Sequence, residues 1–242
     1  MKHPYLLALA AAAVLAAAPL PLRAQPRKPA PAAKAQTPAP PSAPLAALFE
    51  AYSEEVARLF PLGATAQGDH RYNDQLPNDQ TRARRETVRA FYHRSLAQLR
   101  RLERARLNAA DQTSYDILAY SLNQRLAGSV FNDWMMPFDQ SGGLPTALAQ
   151  LGAGTGAQPF KTVPDYDHWL SRVRGFPAWT DSAIANFRQG IRAGVVLPKA
   201  LVPKMVSQLR TLAKAGADPA TSLFYGPVKT FPASFTAADK AR

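Results

Sequence analysis

The sequence predicts an all-α protein, a multi-helix domain with Pro- and Gly-rich loops. Three observations carry that expectation. Apolar residues recur at spacings of three and four through most of the chain after residue 44, the period of a helix that buries one face. No stretch shows the alternation of apolar and polar β-branched residues that marks a strand. Proline and glycine fall at the ends of the periodic segments, where helices start and stop.

The elements follow in chain order. Residues 1–24, "MKHPYLLALAAAAVLAAAPLPLRA", have Lys2 as a positive start, an apolar run of fourteen from Tyr5 to Ala18 and a small-residue end. That is the pattern of a secretory signal peptide cleaved after Ala24. The run falls short of the roughly 20 apolar residues that span a bilayer. The mature chain is therefore expected to be periplasmic or secreted, with no stable membrane span. The absence of cysteine excludes disulfides, thiolate metal ligands and a cysteine nucleophile. Residues 25–44 carry seven of the 22 prolines with no apolar periodicity, which predicts a disordered Ala/Pro-rich linker.

From residue 45 the pattern becomes helical. Leu45, Leu48, Phe49, Tyr52, Val56, Leu59 and Phe60 share one face up to Pro61. Residues 62–80, "LGATAQGDHRYNDQLPNDQ", then read as a polar connection. Gly63 and Gly68 suit turns, and Asn73, Asp74, Asn78 and Asp79 suit turns and caps. A turn does not require the run Asp69, His70 and Arg71, so these three are candidates for lining a substrate channel or an interface.

Residues 81–106 hold nine arginines against Glu86 and Glu103. Residues 1–44 contribute five of the cations and no acid, so +7 of the chain's +12 remains in 45–242, and this one segment accounts for it. Val88, Phe91, Tyr92, Leu96, Leu99 and Leu102 form its apolar stripe, with Arg82, Arg89, Arg94, Arg100, Arg101 and Arg104 on the other side. A basic face is the footprint of nucleic-acid binding. Here Phe91 and Tyr92 lie on the buried stripe, away from any base, so a solvated or partner-covered face is expected and no nucleic acid.

Asn108 and Asp111 resemble a capping pair ahead of Tyr115, Leu118, Leu122 and Leu126. "LPTALAQL" reads as helix, with a flexible loop at Gly152, Gly154 and Ala157; no strand precedes it, as a dinucleotide fingerprint would need. Pro164 opens the next helix, with Asp165 and Asp167 in its first turn offsetting the dipole. Ile184, Phe187 and Ile191 mark another, closed by Gly194. A last one carries Val202, Met205, Val206, Leu209 and Leu212, begins at Pro198 or Pro203 and ends at Gly216. Phe131, Trp134, Met135, Met136 and Phe138 form one aromatic-rich cluster, and Trp169, Phe176 and Trp179 another; both are expected in the core. Thr236 and Asp239 announce a helix with six residues left after the threonine.

"FPLGATAQGDHRYNDQLPND", the Arg-rich helix, "DQTSYDILAYSLNQRL", "FKTVPDYDHWLSRVRGFPAW" and "FYGPVKTFPASF", in that order, resemble the N-terminal part of the bacterial domain-of-unknown-function family 885. The resemblance covers residues 45–242 and implies a helical, exported, zinc-peptidase-like protein several hundred residues long. It implies a His-Glu-x-x-Pro-Gly-His-type metal motif downstream of the matched region. The 45–242 domain is accordingly expected to be incomplete at its C-terminus. Its implied partners are the remaining C-terminal half of the parent domain and, in full-length form, a peptide substrate. His3, His70, His93 and His168 are isolated and none precedes Glu, whereas a helical zinc site needs two histidines one turn apart. No catalytic residue, metal ligand or cofactor is assigned to this chain, and zinc is implied only for a full-length relative. The alternative is a self-contained periplasmic binding or scaffold module that meets acidic partners through its Arg-rich face.

Overall fold

Pro44 stands in the first turn of the first helix, Ala43–Leu59 (α1), where its missing N–H leaves no bond unmade. The helix thus begins inside the last two residues of the expected linker. In this computed structural model the described residues are 42–214 and 221–241, all within the unit Ala39–Arg242. The expected signal segment, the linker up to residue 41 and the helix stop at Gly216 lie outside them. Among the described residues the regular elements are all helical, and no helix is long and apolar enough to cross a membrane.

Pro61 ends α1 and also opens a short helix, Pro61–Ala66 (α2). The first part of the supposed polar connection is therefore helical, because proline is preorganised for a first helical position. Gly63 sits inside that helix, and only Gly68, with φ +86, turns the chain away from it.

Helix α3, Arg82–Leu99, is capped by Thr81, whose hydroxyl accepts the Arg84 N–H at 3.2 Å. It stops seven residues before the Arg-rich segment does. The amides of Arg101 and Leu102 bond back three residues, to Gln98 and Leu99, and 104–106 form a separate 3₁₀ turn. The tightened turn brings both Leu102 and Leu107 against the core. Helix α4, Ala109–Gly128, starts on the predicted cap, the Asp111 N–H donating to Asn108 Oδ1 at 2.9 Å. The buried Asp111 carboxylate also accepts the Ser42 N–H at 2.8 Å, which ties the start of α4 to the start of α1. Leu45, Leu59, Phe91, Tyr92, Leu96, Leu99, Leu118 and Leu122 from α1, α3 and α4 form one buried cluster.

The rest of the chain supplies a second set: α5 (Leu144–Gly152), α6 (Val163–Arg174), α7 (Phe176–Ala193), α8 (Val202–Lys214), α9 (Gly226–Lys229) and α10 (Ala237–Ala241). Asp165 accepts the amides of Lys161 and Thr162 at the start of α6, and Thr236 with Asp239 caps α10 in the same way. Trp169 is buried against Phe160 and Phe224, and Trp179 against Phe138 and Phe176. The core expectation fails for Phe131, which stays 67% exposed.

Helix α7 turns a different face inward than its large apolar residues suggest. Its buried residues are Trp179, Ala183, Asn186 and Gly190, while Ile184 and Ile191 are exposed. At 100° per residue the two faces lie a third of a turn apart. Close approach decides between them: a side chain at Gly190 would stand 2.5 Å from the Val195 carbonyl oxygen and 2.8 Å from that of Met135.

A polar seam joins the two helical sets. Residues 72–80 leave the helical pattern, so their carbonyls need donors from elsewhere. Arg172 of α6, fully buried, serves two of them. Its guanidinium donates to the carbonyls of Tyr72 (2.7 Å) and Gln75 (3.1 Å), to the Thr65 hydroxyl (3.0 Å) and to Gln158 Oε1 (2.7 Å). Farther along, Asn78 Nδ2 donates to the Ala178 carbonyl, Trp179 Nε1 to Asp79 Oδ1 and Asn186 Nδ2 to the Gln80 carbonyl, at 2.6–3.0 Å.

Replacing Gly190 with alanine should therefore destabilise the protein by roughly 1–3 kcal/mol, the usual cost of overpacking a tight contact. Ile191→Ala, on the exposed side, should change stability by less than about 0.5 kcal/mol. Urea midpoints of the two variants check the assignment of the faces.

Candidate functional site

The seam fixes the chain that follows α2 and so positions Asp69, His70 and Arg71. Gly68 lets the backbone double back, and the Asp69 amide bonds to the Ala64 carbonyl at 2.9 Å. The Arg71 guanidinium then meets two carboxylates. Its Nε and Nη2 donate to Asp69 at 2.9 and 2.7 Å, and Nη2 lies 2.8 Å from Glu54 of α1. The Tyr72 hydroxyl donates to the same Glu54 at 2.7 Å.

The titrations follow from these contacts. The Arg71 side chain and amide hold the Asp69 carboxyl down at about 2. Arg71 and then Tyr72 lower Glu54, while Glu54 raises the Tyr72 phenol. Arg71 itself is raised by Asp69 and Glu54. All four groups face solvent, which screens the attraction. The cluster accordingly fixes geometry more than it contributes stability.

Asp69 and Arg71 line a groove of about 710 Å³ with Glu50, Tyr52, Glu54, Val56, Phe60, Tyr92 and Arg125. Its floor is aromatic, Tyr52 stacking on Phe91 at 5.3 Å. Arg125 of α4 lies over the Tyr92 ring, 5.4 Å from its centre, and donates to the Tyr92 hydroxyl at 3.3 Å. No described carboxylate pairs with it. The groove is thus an apolar-walled trough with a rim on one side where a single cation, Arg71, stands between two carboxylates, and an unpaired cation, Arg125, on another.

The structure does not bring His70 into this groove. Its Nδ1 lies 3.2 Å from Asn73 Nδ2, and the Asn73 side-chain oxygen takes the Thr65 hydroxyl at 2.6 Å. An amide nitrogen only donates, so Nδ1 is the acceptor and the imidazole proton sits on Nε2. The exposed histidine therefore ends a chain of contacts leading inward through Asn73 and Thr65 to Arg172.

The predicted basic face is spread over three elements. Arg82, Arg89 and Arg94 lie on α3, Arg100 and Arg101 on the turn after it and Arg104 on the 3₁₀ turn, all exposed. Arg82 pairs with Glu86, and Arg104 takes Asp116 at 2.6 Å. Arg94 only approaches Glu55, at 3.9 Å. Among the described residues Arg89, Arg100 and Arg101 have no ion pair.

The family resemblance implies zinc only for a full-length relative, and that metal asks for clustered His, Asp or Glu donors. No group of three or more His, Asp or Glu residues could hold a metal ion among the described residues, and His70 already gives its Nδ1 to Asn73. The residues present do not fit that metal. Glu54 and Arg125, which complete the groove, carry no local signal; Glu54 is 17 residues from Arg71 in sequence, and only the fold makes them neighbours.

The family model described as "Bacterial protein of unknown function (DUF885)" matches residues 61–242. No curated protein and no solved structure matches.

The Asp69–Arg71 pair predicts a pH signature. Asp69 titrates at about 2 in the folded chain against an ordinary 3.8, so its contribution to stability is complete above about pH 4 and is lost as the pH falls through 2. Asp69→Asn should lower the thermal midpoint slightly at pH 7, since solvent screens the pair, and should remove the same small increment from the fall between pH 4 and pH 2, so that variant and parent converge near pH 2.

Proposed function

The chain belongs to the bacterial protein family of unknown function DUF885, and we propose that it forms the non-catalytic, substrate-lining part of an exported, zinc-dependent peptidase-like hydrolase. In this reading a downstream half carries the metal motif and docks on these helices. The groove between α1, the 67–74 loop and α4 is the observation that carries it. An extended peptide needs an apolar wall for its side chains and a few fixed polar groups to orient it. The groove offers Tyr52, Phe60 and Tyr92 for the first and Arg71, Glu54 and Arg125 for the second. The exposed Ile184 and Ile191 of α7 are suited to cover by a further helical layer. We assign no catalytic role to any described residue and no step to a metal.

The three unpaired cations Arg89, Arg100 and Arg101 favour a second reading, a periplasmic module that binds acidic partners. The two readings put binding on different residues.

The purified chain should carry well below one zinc per molecule, leave a mixture of peptides uncleaved with or without a chelator, and still bind those peptides. Arg71→Ala or Arg125→Ala should weaken that binding roughly tenfold, the worth of one charge-assisted bond. Stoichiometric zinc with chelator-sensitive cleavage would defeat the non-catalytic reading. Binding that ignores Arg71 and Arg125 but follows Arg100 and Arg101 would favour the second.

A further inference from the structure

Phe131 leaves a large aromatic ring in water, at 67% exposure. It stands at a cleft of about 350 Å³ beside the first turns of α3, lined also by Val88, Trp134, Arg84, Arg85 and Arg89. That volume lies at the lower end of small-molecule sites, and apolar floors with a few convergent charges are their usual construction.

The charges identify the ligand class. Arg82 is taken by Glu86 at 2.7 Å. Arg84 donates to the Leu59 carbonyl and Arg85 to the Gln80 carbonyl, and Arg85 also lies 4.3 Å over the Trp134 ring. Arg89 has no ion pair or hydrogen bond among the described residues, and no described carboxylate pairs with Arg84 or Arg85. Burial lowers both of these guanidiniums, with added repulsion from Arg58 at Arg84 and from Arg82 at Arg85. Half-buried cations without a counter-ion carry a desolvation cost that a bound anion relieves. Asp79, Glu86 and Asp133 also line the cleft, and Asp79 already accepts the Trp179 indole N–H. Four guanidiniums facing three carboxylates leave one net positive charge. A monoanion neutralises it, whereas a phosphate dianion overshoots and meets the same three acids.

We propose that this cleft binds an aryl monocarboxylate, its carboxylate held by Arg89 with Arg84 and its ring laid against Phe131 and Val88. The guanidinium fork matches a carboxylate in shape as well as charge, and an aromatic ring gains from offset or edge contact with Phe131. A free aromatic acid and a peptide C-terminus ending in an aromatic residue present the same chemistry. The proposal does not rest on the role given to the α1 groove.

Calorimetric titration of the full chain tests it, with 2-naphthoate and N-acetylphenylalanine as the two acid sources, their neutral amides, and inorganic phosphate. At least one acid should bind saturably at one per chain, and its amide about tenfold or more weaker, the loss of one charge-assisted contact. The tighter acid identifies the source. Arg89→Ala and Phe131→Ala, both at exposed positions that preserve the fold, should each weaken binding several-fold, with Arg89→Lys retaining part. Failure of both acids to bind at millimolar concentration would overturn the proposal. So would amides that bind as well as the acids, phosphate that binds more tightly than either, or both alanine variants matching the parent.

Discussion

A single buried guanidinium holds the two helical sets of this protein in register. Arg172 lies at the inner face of α6 with no exposed surface and no described carboxylate paired with it. Burial pulls it down to about 10, with distant Asp74 opposing, so it stays charged at neutral pH. Its compensation is four hydrogen bonds to neutral oxygens, two of them main-chain carbonyls of the 72–80 strap. A cation buried in this way is tolerable only while every bond is made, and that requirement fixes where the strap runs.

The candidate groove depends on the strap. Asp69, Arg71 and Tyr72 reach Glu54 because the segment just beyond them is pinned to α6, and the groove wall is completed by Tyr92 and Arg125 from α3 and α4. Exposed ion pairs alone would hold such a loop weakly. The division of labour is physical: the buried donors set position, and the exposed charges give the groove its rim. The arginines of α3 follow the same logic in reverse. Those that reach carbonyls or Trp134 are half-buried and unpaired, and those that point outward are free (Arg89), paired with a neighbour along the helix (Arg82 with Glu86) or loosely set against α1 (Arg94 with Glu55).

What was legible in the sequence was local. The cap at Asn108, the left-handed stop at Gly194 (φ +72) and the apolar stripe of α3 all depend on residues within one or two turns, and they stand as predicted; Asp165, expected only to offset the dipole of α6, also closes a capping box with Thr162. The face of α7 was not legible. Its buried side is built from Trp179, Ala183, Asn186 and Gly190, and small or amide residues do not look apolar, whereas Ile184 and Ile191 do. Asp69 and Arg71 were visible as a cluster, but Glu54 and Arg125 join it only through tertiary packing. Arg172 carried no signal at all, since nothing in "LSRVRGF" separates a buried arginine from the solvated one two residues on, Arg174.

The most direct test is Arg172→Met, which keeps much of the side-chain volume and removes all the donors. Urea unfolding should show a loss of about 3–5 kcal/mol, the cost of leaving several buried acceptors unpaired. Hydrogen exchange in the same variant should show the amides of residues 70–80 losing protection before those of the α1–α3–α4 core. A variant within about 1 kcal/mol of the parent, with that strap still protected, would contradict the account.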